Sequence, residues 1–244
     1  MNHLFPPLLP KEALVPPVLV LAAHPDDEVI PAGGILAWHR QRGDRVVVAH
    51  MTDGALGDPD QKEQDIAEVR RREGRAAMEV LGVEELRHFD FPDGGLPEHR
   101  GRLGTTLREL FQEIQPKTLY SFFFTEAHRD HRVLATTVAD HADALPADCR
   151  CLLFGVNQVV TGATMFEVGE FMEQKQRALS CFESQLVYND WREKILHRDH
   201  AMTVNVEDPA VQYAEVFADL RPEELPIVRD KAHALFRHLL RDDA

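Results

Sequence analysis

The strongest constraint on the fold of this chain is a set of short, unbroken apolar runs, each ending at a loop crowded with histidine or aspartate. Val18-Leu19-Val20-Leu21-Ala22-Ala23 leads into His24-Pro25-Asp26-Asp27-Glu28, and Arg45-Val46-Val47-Val48-Ala49-His50 leads into Thr52-Asp53-Gly54. Leu86-Arg87-His88-Phe89-Asp90-Phe91 is followed by Pro92-Asp93-Gly94-Gly95, and the run 118–124 by Thr125-Glu126-Ala127-His128-Arg129-Asp130-His131. An apolar run that does not alternate is expected of a strand covered on both faces, the usual condition in a parallel sheet.

Helical patterns separate the runs. They are expected at 33–42, stopped by Gly43, at 61–81, stopped by Gly82, at 100–115, stopped by Pro116, and at 133–144. A fifth strand is expected at 149–156, and beyond about residue 170 helices mix with one strand near 202–206. Strands alternating with helices predict parallel βαβ units, hence an open, mostly parallel α/β sheet with helices on both faces. No repeat or linker divides the 244 residues, so a single domain over 1–244 is expected. In such sheets ligands bind beyond the carboxyl ends of the strands. Four polar clusters fall at four strand ends, and that coincidence weighs more than any one of them.

Composition narrows the partners. A net charge of −14 argues against nucleic acid or an anionic membrane surface. The stretch 13–23 is interrupted by Pro16 and Pro17 and is shorter than the roughly 20 residues of a membrane span. Cys149, Cys151 and Cys181 lack the paired spacing of a structural zinc site. They read as buried small residues in a reducing, cytoplasmic protein. Small molecules remain as the partner class, and a homo-oligomer is left open.

Imidazole and carboxylate are suitable donors for a metal, and a tight turn after the first strand can aim His24 and Asp27 at one point, leaving Asp26 free as a base. Alone, this block is equally a helix start, with Pro25 at the first position and acidic residues favoured by the dipole. That account gives no reason for His24. The second cluster alone reads as a charged loop in which Asp130 caps a helix. Taken together, the two clusters supply the three ligands of a catalytic zinc site. His-Arg-Asp-His recurs at 197–200, where it ends an amphipathic helix and is explained by the helix dipole. The metal is therefore assigned to the first copy.

With Ala23-His24-Pro25-Asp26-Asp27-Glu28 and His128-Arg129-Asp130-His131-Arg132 in place, the sequence resembles the LmbE-like/PIG-L family of zinc-dependent N-acetylglucosaminyl deacetylases. Weaker echoes are Thr52-Asp53-Gly54 with Gly57, Arg70 with Glu73, Pro92-Asp93-Gly94, Lys175, Ser184-Gln185 and Tyr213-Ala214-Glu215. The resemblance covers about 18–217 and leaves a C-terminal helical extension. It implies a Rossmann-like fold and one Zn2+ held by His24, Asp27 and His131. It further implies Asp26 as general base, His128 as stabiliser of the tetrahedral intermediate, and Asp130 as the group orienting an adjacent histidine. Arg70 and Asp93 align with substrate-contacting positions. Arg129 stands where the family usually has proline, and an outward, solvated arginine is the favoured reading.

The expected function is removal of the acetyl group from an N-acetylglucosamine-containing small molecule. A zinc amidase acting on a non-sugar N-acyl substrate is the first alternative, because substrate choice resides in loops. A non-enzymatic anion- or nucleotide-binding module is the second, but no G-x-G-x-x-G or Walker-type loop follows the first strand. Gly33-Gly34 reads instead as room for close helix packing. A His-Asp-His donor set would also accept iron, cobalt or manganese.

Overall fold

The computed structural model describes residues 7–160 and 164–240. The chain runs β1 (Val18–Ala22), α1 (Val29–Gln41), β2 (Val46–Thr52), α2 (Ile66–Leu81), β3 (Glu85–Phe91), α3 (Arg100–Ile114), β4 (Thr118–Phe122), α4 (Arg129–Asp140) and β5 (Arg150–Phe154). It continues with β6 (Thr164–Glu167), α5 (Met172–Leu179), α6 (Glu183–Leu186), α7 (Arg192–Ala201), β7 (Ala214–Leu220) and α8 (Leu225–Leu240). No described helix is long and apolar enough to cross a membrane.

One seven-stranded sheet has the order β3-β2-β1-β4-β5-β7-β6. Strands β1 to β5 pair in parallel, β7 runs antiparallel to β5, and β6 antiparallel to β7. The expected open, mostly parallel sheet is thus what forms. β1 and β2 are buried at every position, as their unalternating sequences require. From β1 the chain builds outward through β2 to β3, then returns to place β4 on the opposite side of β1. Neighbouring loops leave in opposite directions at that reversal, which opens a crevice at the carboxyl ends of β1 and β4. The two His/Asp clusters leave from those two ends.

Helix α1 is buried from Val29 through His39, so its sequence is apolar around most of the barrel rather than along one stripe. Gly33 and Gly34 permit this. A Cβ on Gly33 would meet Lys175 Cγ at 2.9 Å, and one on Gly34 would meet Val168 Cβ at 2.7 Å. Cys149 and Cys151 are buried and free, and Cys181 is half-buried and free.

Several expected boundaries shift. α1 starts at Val29 and α4 at Arg129, earlier than sequence periodicity predicts: Pro31 stands in the first turn of α1, where its missing amide hydrogen is not needed, and the first turn of α4 carries Asp130 and His131 rather than apolar residues. α2 begins only at Ile66, where the Asp65 side chain accepts the Glu68 amide. The strand expected near 202–206 is absent. α7 runs to Ala201, turns occupy the next residues, and the late strands are β6 and β7. The β-branched residues there, Thr203, Val204 and Val206, gave a strand-like local pattern. Val204 is 81% exposed, however, and no neighbouring strand is available to it.

Candidate active site

The turn after β1 is held from several sides. Thr52, at the end of β2, donates both its amide and its hydroxyl to the Ala23 carbonyl, at 2.9 and 2.8 Å. Glu28, fully buried, faces His50 Nε2 of β2 at 3.2 Å and accepts the Asp26 amide at 3.3 Å. Asp26 sits at φ 122°, a left-handed conformation that costs a non-glycine residue of the order of 1–3 kcal/mol. The surrounding bonds hold it there and turn its carboxylate toward Arg70, whose Nη2 donates to Asp26 Oδ2 at 2.9 Å and to the Pro25 carbonyl at 2.6 Å.

His24 Nδ1, Asp27 Oδ2 and His131 Nε2 form a small triangle. Its edges are 3.1 Å (His24–Asp27), 3.2 Å (Asp27–His131) and 3.2 Å (His24–His131). Ligand atoms about 2.0–2.1 Å from one tetrahedrally bound zinc would lie about 3.3–3.4 Å apart. The far nitrogen of each ring meets a carboxylate. His131 Nδ1 lies 2.8 Å from Glu126 Oε2, while His24 Nε2 lies 3.0 Å from Asp93 Oδ1 and 3.4 Å from Asp130 Oδ2. The Asp93 contact is off the line of a good hydrogen bond, so that nitrogen keeps an unsatisfied direction. In neutral rings, carboxylates on the far nitrogens would keep the protons there and leave a lone pair on each near nitrogen directed at the triangle, as metal binding requires. The donor set therefore fits a divalent metal. His24, His128 and His131 also cluster closely enough to share one ion, as do His24, Asp93 and Asp130.

The charges follow from this crowding. Burial pulls the His24 imidazole down, but Asp130, Asp27 and Asp93 outweigh it and hold its pKa well above the usual value. His131 behaves likewise, burial being overcome by Asp27 and Glu126 so that its pKa rises to about 9. Asp27 is driven well below the ordinary carboxylate range because the two imidazoles overcome its burial. Asp26 goes the other way, to about 7. Burial raises it, Asp27 and Glu28 add to the rise, and Arg70 opposes them. Burial, reinforced by His24 and His131, lowers the pKa of His128. The His128 ring accepts the Asp130 amide at Nδ1, at 3.2 Å, which leaves a proton on Nε2 to donate.

These side chains line a cleft of about 570 Å³ that also includes Arg70 and Asp93. Its opposite wall comes from Asn157, Gln185, Asn189, Trp191, Lys194 and Ile195. Gln185 ties that wall to the loop after β2 by donating to the Gly57 carbonyl at 3.1 Å, and Tyr188 hydrogen-bonds Asp58.

Each sequence-selected residue has a definite place. His24, Asp26, Asp27, His128 and His131 come together at the cleft. Asp130 is fully buried; it faces His24, not the histidines beside it in sequence, and it fastens the loop after β3 by accepting the Gly94 and Leu96 amides. Asp93 reaches His24, and Arg70 is engaged with Asp26. Arg129 is exposed and pairs with Glu98 at 3.1 Å. Sequence reasoning assigned no role to Glu126, which accepts from the amides of Val156 and Asn157 as well as facing His131. A carboxylate five residues before a candidate ligand was the only signal of it.

Comparison with known proteins adds an independent line. Residues 19–142 match the family model described as PIG-L, GlcNAc-PI de-N-acetylase. The chain is 27% identical over 200 residues to a probable N-acetyl-alpha-D-glucosaminyl L-malate deacetylase 2 of Bacillus cereus, covering 75% of this chain and 91% of that protein. Among solved structures it resembles N,N'-diacetylchitobiose deacetylase of Pyrococcus horikoshii, with TM-score 0.75, 21% identity, and 85% and 84% of the two chains covered. It also resembles GalB, the 4-carboxy-2-hydroxymuconate hydratase of Pseudomonas putida, with TM-score 0.66, 21% identity, and 83% and 95% covered. The fold alone therefore does not choose a reaction.

Proposed function

Because the chain belongs to the PIG-L family, described as GlcNAc-PI de-N-acetylases, we propose that it is a metal-dependent amidase that removes the acetyl group from an N-acetylglucosamine-containing small molecule. The observation that carries this reading is the triangle of His24, Asp27 and His131 donor atoms, 3.1–3.2 Å on an edge, with the unligated carboxylate of Asp26 beside it. Zinc is the metal this donor set suits best. Residence in the cytoplasm belongs to the same reading and is supported by three free cysteines.

An acetamide resists hydrolysis because its carbonyl is resonance-stabilised and water is a weak nucleophile. A divalent cation held by His24, Asp27 and His131 supplies Lewis-acid polarisation of the carbonyl and acidifies water in the cleft. Asp26 takes the proton of the attacking water. A carboxylate raised to about 7 exchanges readily between its basic and acidic forms near neutral pH, so Asp26 is also suited to return that proton to the leaving amine. His128 donates a hydrogen bond from Nε2–H to the oxyanion of the tetrahedral intermediate, and needs no positive charge to do so. Arg70 keeps the Asp26 carboxylate aimed.

The test pairs elemental analysis of purified protein with acetate release from N-acetylglucosamine conjugates, N-acyl amino acids and an unsaturated dicarboxylate for hydration. The expected result is about one metal ion per chain and acetate from the sugar conjugates alone. Asp26→Ala should retain the metal and lose about 10²–10⁴-fold in kcat. Acetate from the amino acids only, or hydration only, rejects the reading.

A further inference from the structure

Along one side of α7, Lys194, Ile195, Arg198 and Asp199 follow the three- and four-residue spacing of one helical face, continued by the flanking Trp191 and Met202. Ile195 and Asp199 are buried on it, and Arg198 pairs with Asp199 at 3.3 Å and donates to the Ile30 carbonyl at 2.6 Å. Such a face ordinarily carries apolar or paired groups. Lys194 is neither. It stays exposed because the cleft opens at that turn, and it lines the cleft with Trp191 and Ile195.

Among the described residues Lys194 makes no ion pair: its ammonium donates to the Asn189 side-chain oxygen at 2.5 Å, and the nearby Asp190 carboxylate is bonded to Arg192 instead. The arginine of the cleft, Arg70, is instead held in an ion pair with Asp26 at 2.9 Å. In a chain of net charge −14, an uncompensated cation on a concave wall creates a local positive potential facing the substrate. Asn157, Gln185 and Asn189 add neutral polar groups on the same wall, and Trp191 supplies a flat apolar surface of the kind that packs on a sugar ring.

We infer that Lys194 is a specificity-determining residue that recognises an anionic group, carboxylate or phosphate, on the aglycone of the N-acetylglucosamine substrate. The inference rests on the deacetylase reading. With the acetamide at the His24–Asp27–His131 end of the cleft, the aglycone extends to the wall formed by α7 and the segment before it. Lys194 supplies there the charge that pairs with it.

The experiment compares kcat/KM for acetate release by the metal-loaded protein from three N-acetylglucosaminides. One has a neutral ethyl aglycone, one a carboxylate-bearing aglycone and one a phosphate-bearing aglycone. The wild type should prefer an anionic compound by about tenfold or more, chiefly through KM, and the better of the two identifies the anion. Lys194→Met should reduce the preference to about one, Lys194→Glu should invert it, and Lys194→Arg should keep it. Equal use of neutral and anionic compounds by the wild type, or a preference that survives Lys194→Met, overturns the inference. Acetate from none of the three rejects the deacetylase reading, and this inference falls with it.

Discussion

The tetrapeptide His-Arg-Asp-His occurs twice, and the two copies meet opposite fates. At 128–131 it leaves the carboxyl end of β4 and opens α4, where His131 is 2% exposed and reaches His24 and Asp27. At 197–200 it lies in the last turns of α7, where His197 and His200 are exposed and His200 Nδ1 meets only the Gln212 carbonyl, at 2.7 Å. The aspartate is buried in both. Asp130 faces His24 and two loop amides, whereas Asp199 neutralises Lys175 Nζ at 2.6 Å, which Glu215 also binds at 2.6 Å. Glu215 in turn accepts the Gly34 and Ile35 amides, and Arg198 completes the pairing at Asp199. The second cluster is closed: two cations, two carboxylates, every charge answered. The first converges lone pairs on a common point and leaves room for one more cation. What separates a site from a structural network here is the direction of the groups, not their identity.

The comparison can be broken most decisively at the second histidine of the first tetrapeptide. His131→Ala should lose the metal and bring acetate release to background; a variant that keeps both would move the metal elsewhere. Next in size is the closed network. Lys175→Met leaves the fully buried Glu215 without a cation and Asp199 with Arg198 alone, and should cost about 3–5 kcal/mol of stability, read as a fall in the denaturation midpoint. The folded fraction should still bind metal, and loss of metal at full stability would show the second cluster to be part of the site. Glu126→Gln sharpens the first cluster, since removing the carboxylate behind a ligand should weaken metal affinity by about 10–100-fold with the denaturation midpoint nearly unchanged. The smallest effect belongs to His200→Ala, for which metal content should not change and stability should move by no more than about 0.5 kcal/mol.

Much of this arrangement is legible along the chain because it depends on local pattern. Continuous runs at 18–23 and 45–50 announce covered strands, and Gly82, at φ 78° after α2, marks a helix end where only a left-handed residue fits. The first turn of α4 escapes periodicity for the same reason that it matters, since polar site residues stand where apolar ones are expected, whereas the apolar first turn of α1 is masked by Pro31. Glu126 was unassigned because its partners lie five and thirty residues away. Arg70 and Asp93 pointed to the site in sequence, but only the folded chain turns the first to Asp26 and the second to His24.

By itself, then, the sequence determined the alternation of strand and helix, the ends at which polar loops gather, and the residue types able to hold a metal, because each follows from neighbours within a few positions. Tertiary structure alone decided which of two identical tetrapeptides faces His24, which carboxylate stands behind each imidazole, and that the exposed Lys194 lines the cleft. Those outcomes depend on the reversal of strand order between β1 and β4, which brings residues 107 positions apart, such as His24 and His131, to within 3.2 Å, and no local pattern encodes it.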